Sequence, residues 1–209
     1  MKPVLLINPN SSDATTEAML TIARRHLPDD VLGWTNRAAP AMITEPKDSA
    51  AAADQVAQAD LPKARAVIVA AFGDPGAVRL AQRLSCPVVG IGAAAARAAA
   101  AGRARFAVAA TTIGLRASID ALMRAYGTEG SYLGSFLTAG DPYDLLADPA
   151  ALDAALLDAC MAARTAGAER IIIGGGPLAE AAIRLAGQVD VPLVQPLPEA
   201  CKAIAAQLD

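Results

Sequence analysis

The sequence has few aromatic residues, a single histidine and only three cysteines. Aromatic side chains make up 3% of the 209 residues although 54% are hydrophobic, which favours tightly packed helices on sheets over an aromatic ligand cage. The three cysteines, Cys86, Cys160 and Cys201, are scattered and odd in number. They form neither a disulfide framework nor a paired-cysteine metal site, so we expect a cytoplasmic protein without a metal.

The sequence also lacks an excess of positive charge and any long apolar run. A formal net charge of −3 and a pI near 5.2 give no electrostatic reason to bind nucleic acid or an anionic membrane. The stretch before Asn8 is too short for a signal peptide. The longest uncharged run near the middle, Leu84–Ala96, ends before the roughly 18 residues that a membrane span needs. We therefore expect a soluble globular protein.

Short apolar runs alternate with alanine-rich segments of helical length. Most of the runs are continuous, which indicates strands buried on both faces by helices, and the alternation favours parallel sheets. The predicted strands are Val4–Ile7, Val31–Thr35, Ala66–Ala70, Val88–Ile91, Phe106–Ala110, Tyr132–Leu137, Arg170–Ile173 and Pro192–Val194. The predicted helices include Ala14–His26, Ser49–Ala59, Pro75–Leu84, Leu115–Tyr126, Leu152–Ala166 and Leu178–Ala186.

Proline and glycine mark the helix ends. Asp74-Pro75 and Asp148-Pro149 place a capping acid before a proline at the first helical position. Gly102, Gly127 and Gly167 each follow a helical stretch, where a left-handed cap is expected.

The two halves of the sequence have similar patterns. Near the start of each half a strand runs into a polar loop, at Leu5–Ser12 and Phe106–Gly114. Later in each half a strand runs into a loop of small residues and a proline, at Val67–Gly76 and Arg170–Leu178. We infer a duplicated α/β unit with these loops at the carboxyl ends of the strands, where open parallel sheets bind ligands. A cleft between two such units is the expected site.

Polar side chains in two of these loops are candidate ligand-binding groups. In the first loop they are Asn8, Asn10, Ser11 and Ser12. Backbone amides at a helix start, together with hydroxyls, can bind an anion or a carbonyl; the alternative is a polar turn with a serine N-cap. Thr111 and Thr112 repeat the arrangement in the second half. Together the two loops would suit a small carboxylate or a cyclic ureide.

Gly90, Gly92 and Ala95 fit the spacing of a dinucleotide-binding fingerprint between a strand and a helix. The acid expected about 20 residues further on is missing, because the next strand ends in Ala109 and Ala110. We therefore interpret the glycines as a close approach of helix and strand, and expect no nicotinamide cofactor.

Few residues are candidates for acid–base chemistry on their own. Asp74 could be a general base, but its place before Pro75 favours a helix cap. His26 ends the first predicted helix beside two arginines, which favours a solvated position and excludes a Ser-His-Asp arrangement. Each cysteine is best interpreted as a small buried hydrophobic residue.

The loops together resemble the Asp/Glu/hydantoin racemase superfamily, most closely its hydantoin and allantoin racemase branch. The matching stretches are Ile7–Ser12, Ala71–Gly76, Pro87–Ala95, Phe106–Thr112 and Gly167–Ala179. The resemblance implies an α/β fold of two pseudo-symmetric, Rossmann-like parallel-sheet lobes. It places residues 1–93 and 190–209 in the first lobe and 94–189 in the second, so that the last strand and helix return to the first lobe.

The resemblance also implies what is bound. Members of that superfamily bind amino acids, hydantoins or related small acids between the lobes without a cofactor. The same resemblance is the basis for expecting a homo-oligomer. Besides the polar loops, it assigns to ligand binding the residues Phe72, Asp74, Gly176 and Pro177.

Such racemases use two thiols on opposite faces of a carbon acid, one removing a proton and the other returning one. Here the two matching positions are Ala71 and Gly175, and a usual glutamate is replaced by Ala93. The resemblance therefore implies that binding is kept while the thiol pair is absent.

Two hypotheses stay open. One is a racemase or isomerase, or a lyase or hydrolase, that obtains its acid–base chemistry from an activated water or other side chains. The candidate side chains are Thr111, Thr112, Ser11, Asp74 and Tyr132. The other hypothesis is a non-catalytic protein that binds a metabolite.

Overall fold

The computed structural model describes residues 2–28 and 30–208, in which helices alternate with strands. All eight predicted strands are confirmed to within one residue at either end, and the six predicted helices to within three residues. The strands are β1 (Val4–Asn8), β2 (Val31–Thr35), β3 (Ala66–Val69), β4 (Val88–Gly90), β5 (Phe106–Ala110), β6 (Tyr132–Leu137), β7 (Arg170–Ile173) and β8 (Leu193–Val194). The helices are α1 (Asp13–His26), α2 (Pro46–Gln58), α3 (Ala77–Arg83), α4 (Ile91–Ala99), α5 (Arg116–Tyr126), α6 (Pro142–Ala147), α7 (Pro149–Thr165), α8 (Ala179–Leu185) and α9 (Pro196–Leu208).

The strands form two four-stranded sheets with the same order. The first sheet has the order β2-β1-β3-β4 and the second β6-β5-β7-β8. All of these pairs are parallel. The strands β1 and β5 are buried along their whole length, as expected for central strands covered on both faces. The α/β class with two similar parallel-sheet units is therefore confirmed.

The chain divides into two compact units, one containing residues up to 94 and the last helix from Leu197, the other residues 95–196. Strand β8 pairs with β7, where Ile171 lies opposite Leu193 and Ile172 opposite Val194. The expectation that the last strand returns to the first unit is therefore wrong, because ladder hydrogen bonds hold it in the second sheet. The chain returns to the first unit after residue 196 rather than near residue 190.

Backbone hydrogen bonds at the carboxyl ends of the strands match between the units. In the first unit the Ala70 N–H donates to the Ile7 carbonyl at 2.8 Å. In the second unit the Gly174 N–H donates to the Ala109 carbonyl at 2.9 Å. Residue 70 therefore corresponds to residue 174, which supports a duplicated unit and fixes how the loops after β3 and β7 correspond.

The capping acid predicted at Asp148 is confirmed. Its Oδ1 accepts the Ala150 and Ala151 N–H groups at 3.0 and 3.2 Å, and Pro149 is the first residue of α7. This carboxylate therefore satisfies two of the amides that the first helical turn leaves unpaired.

Within residues 2–28 and 30–208, no helix is both long enough and apolar enough to cross a membrane.

Two of the three predicted left-handed glycines are confirmed. Gly102 and Gly167 have φ angles of 70° and 94°. Gly127 has a φ of −79° and extended backbone, so that prediction is wrong. A Cβ on Gly127 would lie 3.0 Å from the Phe106 ring and 2.7 Å from the Met123 carbonyl oxygen. Glycine is required there by close approach instead of by conformation.

Candidate functional site

The side chain of Asn8 is buried at the end of β1 and forms hydrogen bonds within the protein. Its Nδ2 lies 2.9 Å from Asn10 Oδ1 and 3.0 Å from both the Ser12 carbonyl and Thr16 Oγ1. Its Oδ1 accepts the Asn10 N–H at 3.1 Å. Both ends of this amide are therefore used to shape the first polar loop, and Asn8 acts as a support for that loop.

The remaining residues of this loop divide into a helix cap and available donors. Ser12 is the N-cap of α1, and its Oγ accepts the Thr15 N–H at 3.2 Å, which is the serine-cap alternative. Asn10 Oδ1 accepts the Ser12 N–H at 3.0 Å. Within the described residues no hydrogen bond uses the Asn10 Nδ2 group or the Ser11 hydroxyl. These two groups are the donors that the loop can offer to a ligand.

Asn36, which was not predicted as a site residue, supports the same loop. This buried residue follows β2 directly; its Nδ2 donates to the Pro9 carbonyl at 3.1 Å and to Gln55 Oε1 at 2.7 Å. Its backbone N–H donates to the Asn8 carbonyl at 3.0 Å. The signal available in the sequence was a polar residue placed immediately after a predicted strand.

Asp74 is a helix cap, as predicted, but it caps a different helix from the one expected. Helix α3 begins after Gly76, whose φ is 82°, and has no side-chain cap. Instead Asp74 Oδ1 accepts the Gly92 N–H and Oδ2 accepts the Ala93 N–H, both at 2.7 Å. Asp74 therefore caps α4, which begins 17 residues further along the chain, and its own backbone is left-handed, with a φ of 53°. We call this arrangement the Asp74 cap.

The Asp74 cap also accounts for the segment that fits a dinucleotide fingerprint. The amides of Gly92 and Ala93, in the first turn of α4, are those that a fingerprint would direct at a pyrophosphate. They are bound to a carboxylate of the same chain. A Cβ on Gly90 would lie 2.1 Å from Asp74 Cγ, so this glycine makes room for the cap.

The loop after β5 keeps its hydroxyls available. Thr111 is buried and Thr112 half-buried, and no hydrogen bond reaches either hydroxyl in the described part of the chain. Thr138 follows the neighbouring strand β6, and its N–H donates to the Ala110 carbonyl at 3.0 Å. Its Oγ1 is buried without a partner among the described residues. Thr138 was not predicted as a site residue, although it too is a polar residue directly after a strand.

The glycine loop after β7 contributes backbone only. Gly175 has a φ of 138°, and its carbonyl accepts the Leu178 N–H at 3.1 Å. Gly176 and Pro177 begin a single 3₁₀ turn that leads into α8. Since residue 70 corresponds to residue 174, Gly175 occupies the position in the second unit that Ala71 occupies in the first.

None of the cysteines lies at the carboxyl end of a strand. Cys86 is half-buried two residues before the start of β4, while Cys160 and Cys201 are buried within α7 and α9. Burial raises the pKa of the Cys160 thiol to about 11 and that of the Cys201 thiol to about 12. The interpretation of these two residues as buried hydrophobic groups is confirmed.

Tyr132 lies at the amino end of β6, the end opposite the candidate loops. Its hydroxyl donates to Asp120 Oδ1 at 2.6 Å and lies 2.8 Å from Ser135 Oγ. Burial, and then the hydrogen bond to Asp120, raise the pKa of Tyr132 well above its usual value.

His26 is exposed at the end of α1, as predicted. The described residues contain no group of three or more side chains suited to hold a metal.

Comparison with known proteins identifies the family. The family model described as Asp/Glu/Hydantoin racemase matches residues 4–204, which is nearly the whole chain. The chain belongs to the Asp/Glu/hydantoin racemase family. A hydantoin racemase of Paenarthrobacter aurescens is 28% identical over 213 aligned residues, which cover 95% of this chain and 88% of that protein.

Solved structures of allantoin racemases have the same fold as this family member. The allantoin racemase of Pseudomonas fluorescens is 25% identical, with a TM-score of 0.87 over 98% of this chain and 90% of the other. The allantoin racemase of Klebsiella pneumoniae is 24% identical, with a TM-score of 0.86 over 100% and 88% of the two chains. The resemblance inferred from the loop sequences is thereby confirmed.

Proposed function

We propose that this racemase-family protein binds a small ureide, or a small carboxylate of similar shape, at the carboxyl ends of its strands. We further propose that it does not exchange protons through a pair of thiols. Membership of the family supports the first part, because the similar proteins named above are a hydantoin racemase and allantoin racemases. Hydantoin and allantoin are both cyclic ureides.

The available side chains support a neutral polar ligand. The Asn10 amide NH₂ and the hydroxyls of Ser11, Thr111 and Thr112 carry no formal charge. A hydroxyl can donate or accept, so such a set can pair with both the carbonyls and the N–H groups of a ureide. The resemblance implies that the loops of the two units serve one ligand, and we include this in the proposal.

The proposal of thiol-free binding depends on one observation: equivalent positions of the two units carry Ala71 and Gly175. Neither residue can hold a proton on its side chain. The other acid–base candidates are engaged elsewhere, since Asp74 caps α4 and Tyr132 lies at the amino end of β6. The hydroxyls that remain are weak bases unless a neighbouring group activates them. We therefore favour binding over racemisation.

A binding and exchange experiment tests both parts. The protein is titrated with allantoin, hydantoin, aspartate and glutamate by calorimetry, and the same mixtures are followed in D₂O by NMR. We expect saturable binding of a ureide without exchange of the proton on the ring carbon next to its carbonyl. Exchange at enzymatic rates, or a lyase or hydrolase product, would show that a base other than a thiol pair is at work and would overturn the preference for binding over catalysis. Absence of binding by all four compounds at millimolar concentration would overturn the first part.

A pair of variants tests the location. Thr111→Val and Thr112→Val remove a hydroxyl while keeping the side-chain shape, and each is expected to weaken binding about 3- to 10-fold. Thr21→Val is the matched control, because the Thr21 hydroxyl donates to the Glu17 carbonyl on the exposed face of α1. Equal affinities in all three variants would contradict this location.

A further inference from the structure

The loop after β3 adopts backbone conformations that need support. Gly73, Asp74 and Gly76 have φ angles of 124°, 53° and 82°. The value for Asp74 lies in the left-handed region, which a residue with a Cβ seldom adopts. Within the loop, the Asp74 N–H donates to the Ala71 carbonyl at 3.0 Å. Asp74 is therefore joined to position 71 through a tight turn.

The Asp74 cap supplies that support. Its two oxygens each accept one backbone amide of the first turn of α4, at 2.7 Å. Hydrogen bonds from amides to a carboxylate at a helix N-terminus are strengthened by the charge and by the helix dipole. The loop that follows β3 is thus held against an element that follows β4.

Gly90 is a necessary part of the Asp74 cap. A Cβ at this position would lie 2.1, 2.3 and 2.6 Å from the Asp74 carboxyl atoms. Those distances are far shorter than any real carbon contact, so a side chain at residue 90 would expel the carboxylate. The backbone of Gly90 is not left-handed, so alanine could otherwise be accepted there.

We propose that Asp74 is a positioning residue for position 71, holding the loop after β3 by capping α4 across Gly90. Asp74 does not contact the ligand; it fixes the place of the residue that, under the proposed function, flanks the ligand. The second unit has no equivalent carboxylate, since the residue corresponding to Asp74 is the buried Leu178.

A cysteine introduced at position 71 reports on the loop without any ligand. In the Ala71→Cys protein, alkylation of the introduced thiol by iodoacetamide is followed by peptide mass spectrometry, which separates it from Cys86. Adding Asp74→Ala is expected to change the alkylation rate roughly tenfold or more, because the loop loses two charge-assisted hydrogen bonds. Gly90→Ala is expected to have an effect of similar size while keeping the carboxylate, so a change in local charge cannot account for it.

The combination of the two changes gives the decisive result. In the Asp74→Ala background, Gly90→Ala is expected to have no further effect, because no carboxylate is left to expel. Additive effects, or unchanged alkylation in both single variants, would overturn the proposal. Asp74→Asn serves as a milder variant should Asp74→Ala fail to fold.

Two further measurements separate positioning from general stability. Asp148→Ala removes a helix cap in the second unit and is expected to lower the melting temperature while leaving alkylation of the thiol at position 71 unchanged. Hydrogen exchange of the Gly92 and Ala93 amides, measured without ligand, is expected to rise in the Asp74 and Gly90 variants only. Since none of these readouts needs a ligand, failure of the proposed function leaves them interpretable.

Discussion

Ala71 and Gly175 occupy equivalent positions after β3 and β7, but their backbones differ. The Ala70 and Gly174 amides that precede them bond to the central strands in the same way, at 2.8 and 2.9 Å. Only Gly175 of the two has a positive φ, at 138°. The two positions therefore differ in more than their side chains: the backbone at Gly175 has a conformation that favours glycine.

This difference predicts unequal costs in stability for introducing a thiol at the two positions. Gly175→Cys is expected to lower the free energy of unfolding by about 1–3 kcal/mol, because a residue with a Cβ is strained at that φ. Ala71→Cys is expected to change it by less than about 1 kcal/mol, since the new sulfur replaces one hydrogen in a half-buried position. Urea unfolding of both variants measures the difference, and equal losses would contradict it.

A racemase made from this protein would therefore need a changed loop as well as two cysteines. If the assigned positions are right, the double cysteine variant gains proton exchange at the stereogenic carbon only once the loop around Gly175 accepts a side chain. A folded double variant whose loop around residue 175 has also been changed to accept a side chain, and which still shows no exchange in D₂O, would count against the assigned positions.

Asn8 and Ser11 are expected to differ sharply in their effect on stability, although both belong to the first polar loop. Asn8→Ala removes a buried amide and leaves several polar groups without a partner, at a cost of about 2–4 kcal/mol. Ser11→Ala removes a hydroxyl with no hydrogen bond in the described residues and should stay within about 0.5 kcal/mol. Denaturant midpoints of the two variants check this; a large loss for Ser11→Ala would show that its hydroxyl has a structural partner.

The sequence predicted the strands well because buried parallel strands carry continuous apolar runs. The strand β5 has no polar residue between Phe106 and Ala110, and its ends were predicted without error. Helix α6 has only six residues and weak periodicity, and it was not predicted. The pairing of β8 with β7 was mispredicted, because a two-residue strand contains no information about its partner.

The site was predicted as a set of loops, but not the role of each residue within them. Asp74 was expected to cap the helix next to it, since capping rules describe neighbours in sequence. Its real partners, Gly92 and Ala93, are 18 and 19 residues away, and only the fold brings them together. Asn8 likewise looked available because the sequence does not show that the Thr16 hydroxyl faces it from the first turn of α1.

The buried cysteines predict a loss of stability at alkaline pH. Their thiols have folded-state pKa values of about 11 and 12, above the value of 9.0 for a free thiol. Between these values the unfolded chain releases protons that the folded chain retains, so stability is complete below about pH 9 and falls as the pH rises further. The Cys160→Ala/Cys201→Ala variant should show a shallower decline between pH 9 and 11 in urea unfolding. An identical decline in both proteins would mean that other groups cause it.

A β-bulge in β6 places Tyr132 and Ser135 on the same carboxylate. The register of β5 and β6 shifts between Phe106–Tyr132 and Val108–Ser135, and Gly134 has a φ of 127°. A regular strand would point residues three apart to opposite faces. The bulge instead lets the hydroxyls of Tyr132 and Ser135 both donate to Asp120 Oδ1, at 2.6 and 2.7 Å.

Asp120→Ala is therefore expected to cost about 1–3 kcal/mol, because two partly buried hydroxyls lose their acceptor. Asp158→Ala is the matched control. Asp120 and Asp158 both line a groove beside β6, but Asp158 is exposed and forms no hydrogen bond in the described residues, so the stability lost in Asp158→Ala should be close to zero. Removal of Asp120 should also lower the pKa of Tyr132, since that carboxylate helps to raise it. Alkaline titration of tyrosine absorbance, with Tyr143→Phe to remove an exposed tyrosine, would detect this shift. Tyr132 lies at the amino end of β6, away from the loops that carry the proposed binding site. The affinity for a ureide should therefore not change in Asp120→Ala. A large change would mean that the binding site extends along the whole strand.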